Sequence, residues 1–471
     1  MKKPILIAVF IFTILLTTIV ASAVLVDDKS LPVQTGENKK SSEFNSELNK
    51  IEEPAESDET TGNKEDKDGG SDKDLDAAID TDKKIDPDLI PQESPENQKP
   101  VFEYPDAVRG IYVTGHSAGG ARFEKLLKLV DETELNAMVI DIKDDYGNIT
   151  FKLEGTNFDE YSKNYIKDPK KLLKTLAEHE IYPIARIVVF KDSALAKKNP
   201  EYSFKRKDGS IWRNRRKEAF VNPFIFEVWK HNVEIAKIAA ELGFQEIQFD
   251  YVRFPEGFEK KQDYLTYSLG KYNEEELLPR LKEEWENTPV DKRAEEPPGY
   301  DPVQARVTAV TDFVRYAYNE LHPLGVKVSV DIFGYTATRS EAPGIGQNFV
   351  KICENVDVIS AMIYPSHWSP GYFNIPKPDK EPYRLVKEYV AAEKEKFSQM
   401  SEPPISRPWI QDFTATWLQK GNYIVYGKDE VEAQIKALNE GGIKEFLIWN
   451  PVNKYTPGVD YTPIEEQKNE N

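Results

Sequence analysis

Four aspartates, Asp141, Asp250, Asp331 and Asp412, each stand near the C-terminal end of a short apolar run. Carboxyl groups that meet in space are the parts from which glycosidic-bond cleavage is built. One protonates the leaving oxygen and the other acts as nucleophile or base. Asp250 carries the sharpest pattern. In Phe244–Phe254, Ile247, Phe249 and Tyr251 alternate with Gln248 and Asp250, so the carboxylate leaves the apolar face and turns inward, with Arg253 at the exit. A buried Asp beside an Arg stays ionised, as a nucleophile or an oxocarbenium-stabilising group must be. Ser329, Asp331 and Phe333 share the inward face of their run, and Asp412 closes another. Either Asp331 or Asp412 is expected to supply the proton. No Glu is expected to face inward at a strand end.

These residues need a scaffold that brings distant strand ends to one place. Eight apolar runs fill the chain: Val108–Gly115, Asn136–Lys143, Ile181–Phe190, Phe244–Phe254, Lys327–Tyr335, Val356–Tyr364, Ile405–Phe413 and Lys444–Pro451. Most are followed by a stretch with helical spacing, such as Phe123, Leu126, Leu127 and Val130, or the segment opened by Asp168-Pro169. Strand–helix alternation repeated eight times predicts an α/β fold, a (β/α)8 TIM barrel, with its chemistry at the carboxyl ends of the strands. On that scaffold Val139, Asp141 and Lys143 are expected to face the axis, with Arg186, Val188 and Phe190 on one face of the third strand. Tyr112, Asp141, Lys143, Arg186, Arg253, Tyr364, His367, Trp368 and Trp449 are the candidate substrate-positioning residues, the aromatic ones as stacking walls for a sugar ring. Two excursions, a hairpin about Asp208-Gly209 in Tyr202–Phe220 and a charged, proline-rich segment Glu256–Pro302, leave carboxyl ends and are expected to wall the cleft.

The barrel accounts for residues 105–458, followed by a polar tail, 459–471. Before it lie two segments of other character. Residues 1–26, two lysines followed by an apolar run from Pro4 to Val26 with Ala21-Ser22-Ala23, read as an export signal or an uncleaved membrane anchor. Residues 27–104 are expected to be a disordered acidic linker. Within them, 27–100 hold 22 Asp or Glu against 10 Lys, which is −12 of the chain's net charge of −19, and they hold no Trp or Tyr. The folded part is then extracytoplasmic, secreted or membrane-tethered. One cysteine, Cys353, excludes an intrachain disulfide, and five scattered histidines offer no metal-ligand spacing; no cofactor is implied. Scattered basic residues on an acidic chain argue against a nucleic-acid partner. The many Trp and Tyr suit stacking on sugar faces as well as packing, and a carbohydrate polymer is the expected substrate.

Several motifs also carry a resemblance. Val-Arg-Gly-Ile-Tyr-Val-Thr-Gly at 108–115, Asn-Ala-Met-Val-Ile-Asp-Ile-Lys-Asp-Asp at 136–145, Phe-Asp-Tyr-Val-Arg-Phe-Pro at 249–255, Val-Asp-Ile-Phe-Gly at 330–334 and Met-Ile-Tyr-Pro-Ser-His-Trp at 362–368 resemble a bacterial family of glycoside hydrolase-like barrels, long described as a domain of unknown function. The resemblance spans about residues 106–453 and implies a TIM barrel acting on carbohydrate. Two rival readings remain. A catalytically silent barrel would bind glycan through the same aromatic walls. Gly115-His-Ser-Ala-Gly119 fits the G-x-S-x-G elbow of a serine esterase with Ser117 as nucleophile, but it follows the first strand rather than several, and no upstream oxyanion segment accompanies it.

Overall fold

The computed structural model describes residues 100–291 and 293–463. The segments read above as signal or anchor (1–26), nearly all of the linker and the end of the polar tail lie outside these residues. Among the described residues no helix is long and apolar enough to cross a membrane.

Eight parallel staves close a barrel: β1 (Arg109–Val113), β2 (Ala137–Lys143), β3 (Tyr182–Val188), β4 (Glu246–Asp250), β5 (Lys327–Phe333), β6 (Val358–Met362), β7 in two pieces (Ile405–Ser406 and Trp409–Gln411) and β8 (Phe446–Trp449). Each pairs with the next, and β8 pairs with β1 to complete the ring. The seventh run is interrupted because Pro408 has no N–H to give the ladder. Its first piece pairs with β6 and its second with β8.

Helices cover the outside where the periodicity placed them. Helix α1 is the short turn Gly115–Ala118; α2 (Phe123–Asp131) buries Phe123, Leu126, Leu127 and Val130. Asp168 caps α3 (Pro169–Glu178) by accepting from the Lys171 N–H at 2.9 Å, with Pro169 in the first turn, where its missing N–H costs nothing. After α4 (Ser193–Lys198), α5 (Phe226–Leu242) ends on Gly243, whose φ of 119° is left-handed and suits glycine.

Period-two alternation sorts the strands into two cores. Met138, Ile140 and Ile142 of β2, with Ile247 and Phe249 of β4, pack against the helices. Val139, Tyr112, Ile184, Tyr364, Trp409 and Leu447 fill the barrel instead. Phe190, expected on the face of Arg186, joins the outer core on Phe313, its ring 5.2 Å away, because the chain has already left the strand at Val188.

The inward face of β4 is polar at every step, and each step is satisfied at a different depth. At the floor, Arg407 is fully buried and donates to both Glu246 oxygens (2.7 and 2.9 Å), to Glu445 (2.7 Å) and to the Tyr104 hydroxyl (2.7 Å). Tyr104 donates in turn to Glu445, so a residue placed in the linker belongs to the fold. Val459 and Tyr461, assigned to the tail, are likewise buried. In the middle Gln248 donates to Ser360 at 3.2 Å, and at the top stands Asp250.

The two excursions form one wall. Residues Lys205–Arg206 pair antiparallel with Leu265–Thr266, and Phe204, Phe254, Phe258 and Tyr267 interlock with ring centroids 4.9–6.1 Å apart. The Asp208-Gly209 turn is as expected, with Gly209 at a φ of 83°.

The floor network sets a stability prediction. Arg407→Ala leaves the buried Glu246 carboxyl without its cation, and should cost about 3–5 kcal/mol of unfolding free energy. Urea denaturation checks this, and a loss below about 1 kcal/mol would contradict it.

Candidate active site

Arg186, on β3, is the hub of the upper barrel. Its guanidinium donates to Asp250 through Nε (3.0 Å) and Nη2 (2.6 Å), to Asp141 through Nη1 (2.6 Å) and to Asp145 through Nη2 (2.9 Å). It lies over the Tyr112 and Trp449 rings, 5.4 and 5.5 Å from their centroids. Strand register makes this possible: Asp141 pairs with Arg186 across β2 and β3, and Val188 with Asp250 across β3 and β4. Burial works against so buried a cation, but Asp250, Asp145 and Asp141 outweigh it and hold Arg186 firmly charged.

Asp145 also accepts from Lys191 Nζ at 2.9 Å. Burial alone would raise its pKa, but Lys191 and Arg186 pull it below the ordinary carboxylate range. Lys191 reaches further, to Glu218 at 3.3 Å and to the Tyr251 hydroxyl at 3.0 Å. Asp141 accepts from the Tyr112 hydroxyl at 2.6 Å, and burial lifts its pKa to about 7 against the pull of Arg186.

Asp250 and Asp331 stand side by side. Phe249 pairs with Val330, so each aspartate lies one step further along neighbouring strands, which run about 4.8 Å apart. Their surroundings differ. Asp250 Oδ1 accepts from the Tyr251 N–H at 2.5 Å and Oδ2 from Arg186 twice. A carboxylate has about four lone-pair sites, so one is left for the cleft. Among the described residues no cation contacts Asp331, which accepts from Trp409 Nε1 at 2.8 Å. Burial, and then the Asp250 charge, push the Asp331 pKa well above the carboxylate range. One group of the pair is ion-paired and in the other burial favours the protonated form, the division of labour that acid–nucleophile pairs use.

Above them opens a cavity of about 570 Å3, within the usual range for small-molecule sites. Asp250, Asp331 and Arg186 form its base; Tyr364, His367, Trp409 and Trp449 line one side; the excursions supply Trp212, Glu218 and Glu256 on the other. Trp449 stacks on Tyr112 with centroids 4.0 Å apart. Burial lowers the His367 pKa to about 4, so its ring is neutral. Arg253 donates to Glu256 at 3.1 Å and lies between the Tyr251 and Phe333 rings, 4.8 and 4.7 Å from their centroids.

The structure thus brings Asp250, Asp331, Arg186, Arg253, Tyr364, His367 and Trp449 to one cleft, with Asp141 and Tyr112 directly behind Arg186. It moves three candidates elsewhere. Asp412 shares the outward parity of Ile410, not the inward one of Trp409, and accepts from the Thr456 N–H at 2.8 Å and from the Thr456 hydroxyl. It anchors the C-terminal segment. Lys143 follows a register shift after Asp141 and points out to the helix layer, where it meets Asp192 (2.6 Å) and Asn232 (2.9 Å). Trp368 is buried against Tyr372, Phe373 and Tyr389, tight under Gly334.

Ser117 sits in α1 within hydrogen-bonding distance of Thr114, whose hydroxyl, not that of Ser117, caps the helix. Asp145, Lys191, Glu218, Trp212 and Trp417 came from loops, where no periodicity marks an inward residue. Tyr251, expected to face the helices, adopts a φ of 53° and turns its ring beneath Lys191, 4.1 Å away. Such left-handed, non-glycine backbone is uncommon and concentrates at functional sites.

The chain belongs to the family described as "Putative glycosyl hydrolase domain", whose model matches residues 110–455. The fold is also similar to solved structures. A hypothetical protein from Ruminiclostridium thermocellum is 29% identical over 47% of this chain and 96% of its own (TM-score 0.36). The PgaB (BpsB) glycoside hydrolase domain from Bordetella bronchiseptica is 14% identical over 73% and 94% (TM-score 0.48). An alpha-galactosidase from Thermus thermophilus is 10% identical over 76% and 61% (TM-score 0.42). No curated protein matches.

Removing the hub should expose the carboxylate cluster's repulsion. Arg186→Gln is expected to lose stability at neutral pH and to regain part of it under mildly acidic conditions, as Asp141 and its neighbours take up protons in the folded state. Thermal melting of variant and wild type across that range tests this; an equal deficit at both ends would contradict it.

Proposed function

We propose that this protein is an extracytoplasmic glycoside hydrolase that cleaves O-glycosidic bonds of a cell-wall or extracellular polysaccharide by two-carboxylate catalysis. The observation that carries the reading is the unequal pair Asp250 and Asp331 at the base of an aromatic-walled cleft. Export rests on the basic and apolar pattern of residues 1–26, and a membrane tether on that segment staying uncleaved.

In this reading Asp331 Oδ2 gives its proton to the leaving oxygen while the remaining lone pair of Asp250 attacks the anomeric carbon. Charge then migrates from the glycosidic oxygen to the sugar ring, where Asp250 meets it. After the aglycone leaves, water attacks the anomeric carbon and gives its proton to the now ionised Asp331, while the bond from that carbon to Asp250 breaks and the Asp250 carboxylate is restored. Arg186 fixes the Asp250 carboxylate through two donors, Tyr364 and Trp449 position the sugar ring, and neutral His367 offers a hydrogen bond without repelling a developing cation. Adjacent strands match the short carboxyl separation, about 5–5.5 Å, of retaining enzymes better than the 6.5–9.5 Å of inverting ones.

Four expected outcomes follow from these roles. Asp331→Asn should lower kcat by about 10²–10⁴-fold on native polymer and much less on aryl glycosides with good leaving groups, which need no proton. Asp250→Asn should silence both. Activity should decline as pH rises through the Asp331 pKa, because the acid form is the one used, and Asp331→Asn should lose that alkaline limb. Proton NMR of the first product should show the substrate's anomeric configuration. Glycan binding with no turnover by wild type or by Asp250→Asn would instead support a silent binding barrel.

A further inference from the structure

The cleft mouth differs in charge from the rest of the molecule. The chain carries −19, and −7 remains after residues 27–100 are set aside. Yet the cleft lining holds eight Lys or Arg against five Asp or Glu. Each of the five acids has a partner: Asp250 and Asp145 with Arg186, Glu218 with Lys191, Glu256 with Arg253, and Asp331 with Trp409. The cations Arg213, Arg215, Arg216, Lys260 and Lys261 of the lining come from the two excursions, as does Trp212.

Two details point to what this rim meets. Trp212 is half-exposed and Lys261 Nζ lies 5.9 Å from its ring centroid, so a sugar stacked on the indole would present its substituents to that ammonium. The known hydrogen bonds of Lys261 and Arg213 run to backbone carbonyls, of Glu256 and Lys217, which leave their charges uncompensated by those bonds. Burial lowers the Lys261 pKa; Glu259 and Glu256 oppose this and the Lys260 and Arg215 charges add to it, a cost that an incoming anion would relieve.

We infer that the substrate is an anionic glycan, whose acid groups are held at the cleft mouth by Arg213, Lys260 and Lys261 while its ring stacks on Trp212. This rests on the hydrolase reading for the choice of glycan, but it concerns binding and is separable from turnover. Carboxylate, sulfate and phosphate substituents share the chemistry that this rim recognises.

The test is affinity electrophoresis and calorimetry of the full chain carrying Asp250→Asn. The probes are polygalacturonate, its carboxyl-reduced form, dextran sulfate, a poly(glycerol phosphate) polymer, neutral glucan, chitosan and single-stranded DNA. At least one anionic glycan should bind, more weakly as salt rises. The further triple change Arg213→Gln, Lys260→Gln, Lys261→Gln should cost about tenfold in affinity, the scale of three solvent-screened contacts. These side chains lie at the surface or partly exposed, and an unchanged melting temperature would show that the fold is intact. Equal or better binding of neutral or cationic glycans, DNA held above every anionic glycan, or no anionic glycan bound would overturn the inference. Anionic binding without wild-type turnover would sink the hydrolase reading alone, whereas turnover confined to a neutral polymer would sink this inference alone.

Discussion

One guanidinium organises the site. Arg186 is buried among side chains of four neighbouring segments and joins Asp141, Asp145 and Asp250 through a single planar fork. A lysine could not reproduce that geometry, since its point charge lacks two parallel donors for the Asp250 oxygen. The aromatic layer depends on it too: Tyr112 is held by Asp141 and stacks on Trp449, and both rings lie under the same cation.

The arrangement makes two chemically identical side chains unequal. Asp250 takes the cation; Asp331, its neighbour one strand away, takes only an indole N–H. Low dielectric and the adjacent charge then favour a proton on Asp331. Removing both charges from water would be costly without Arg186, and leaving both aspartates ion-paired would leave no acid. The floor network repeats the principle with another buried arginine, Arg407, but there both carboxylates are paired, so the result is structural.

Much of this was legible from period-two alternation. Asp250 and Asp331 each sit on the parity opposite their strand's apolar residues, which is why inward placement could be read without coordinates. The same rule, applied through Trp409 and Ile410, would have turned Asp412 away; its position after an apolar run was the weaker signal. Lys143 escaped because one register shift reverses every side chain beyond it, and no residue type marks that shift. Trp368 was misplaced because a tryptophan after a strand serves core packing as readily as a cleft wall. Asp145, Lys191 and Glu218 reach the site from loops through long-range pairing, which local spacing does not encode.

The central claim is that burial and the neighbouring Asp250 charge favour a proton on Asp331. Infrared difference spectroscopy of wild type against Asp331→Asn, recorded at neutral pH, reads this without any substrate. The account predicts that the substitution removes a protonated-carboxyl C=O band and leaves the carboxylate bands unchanged. Loss of carboxylate absorption instead, with no protonated band, would show Asp331 ionised and would contradict it.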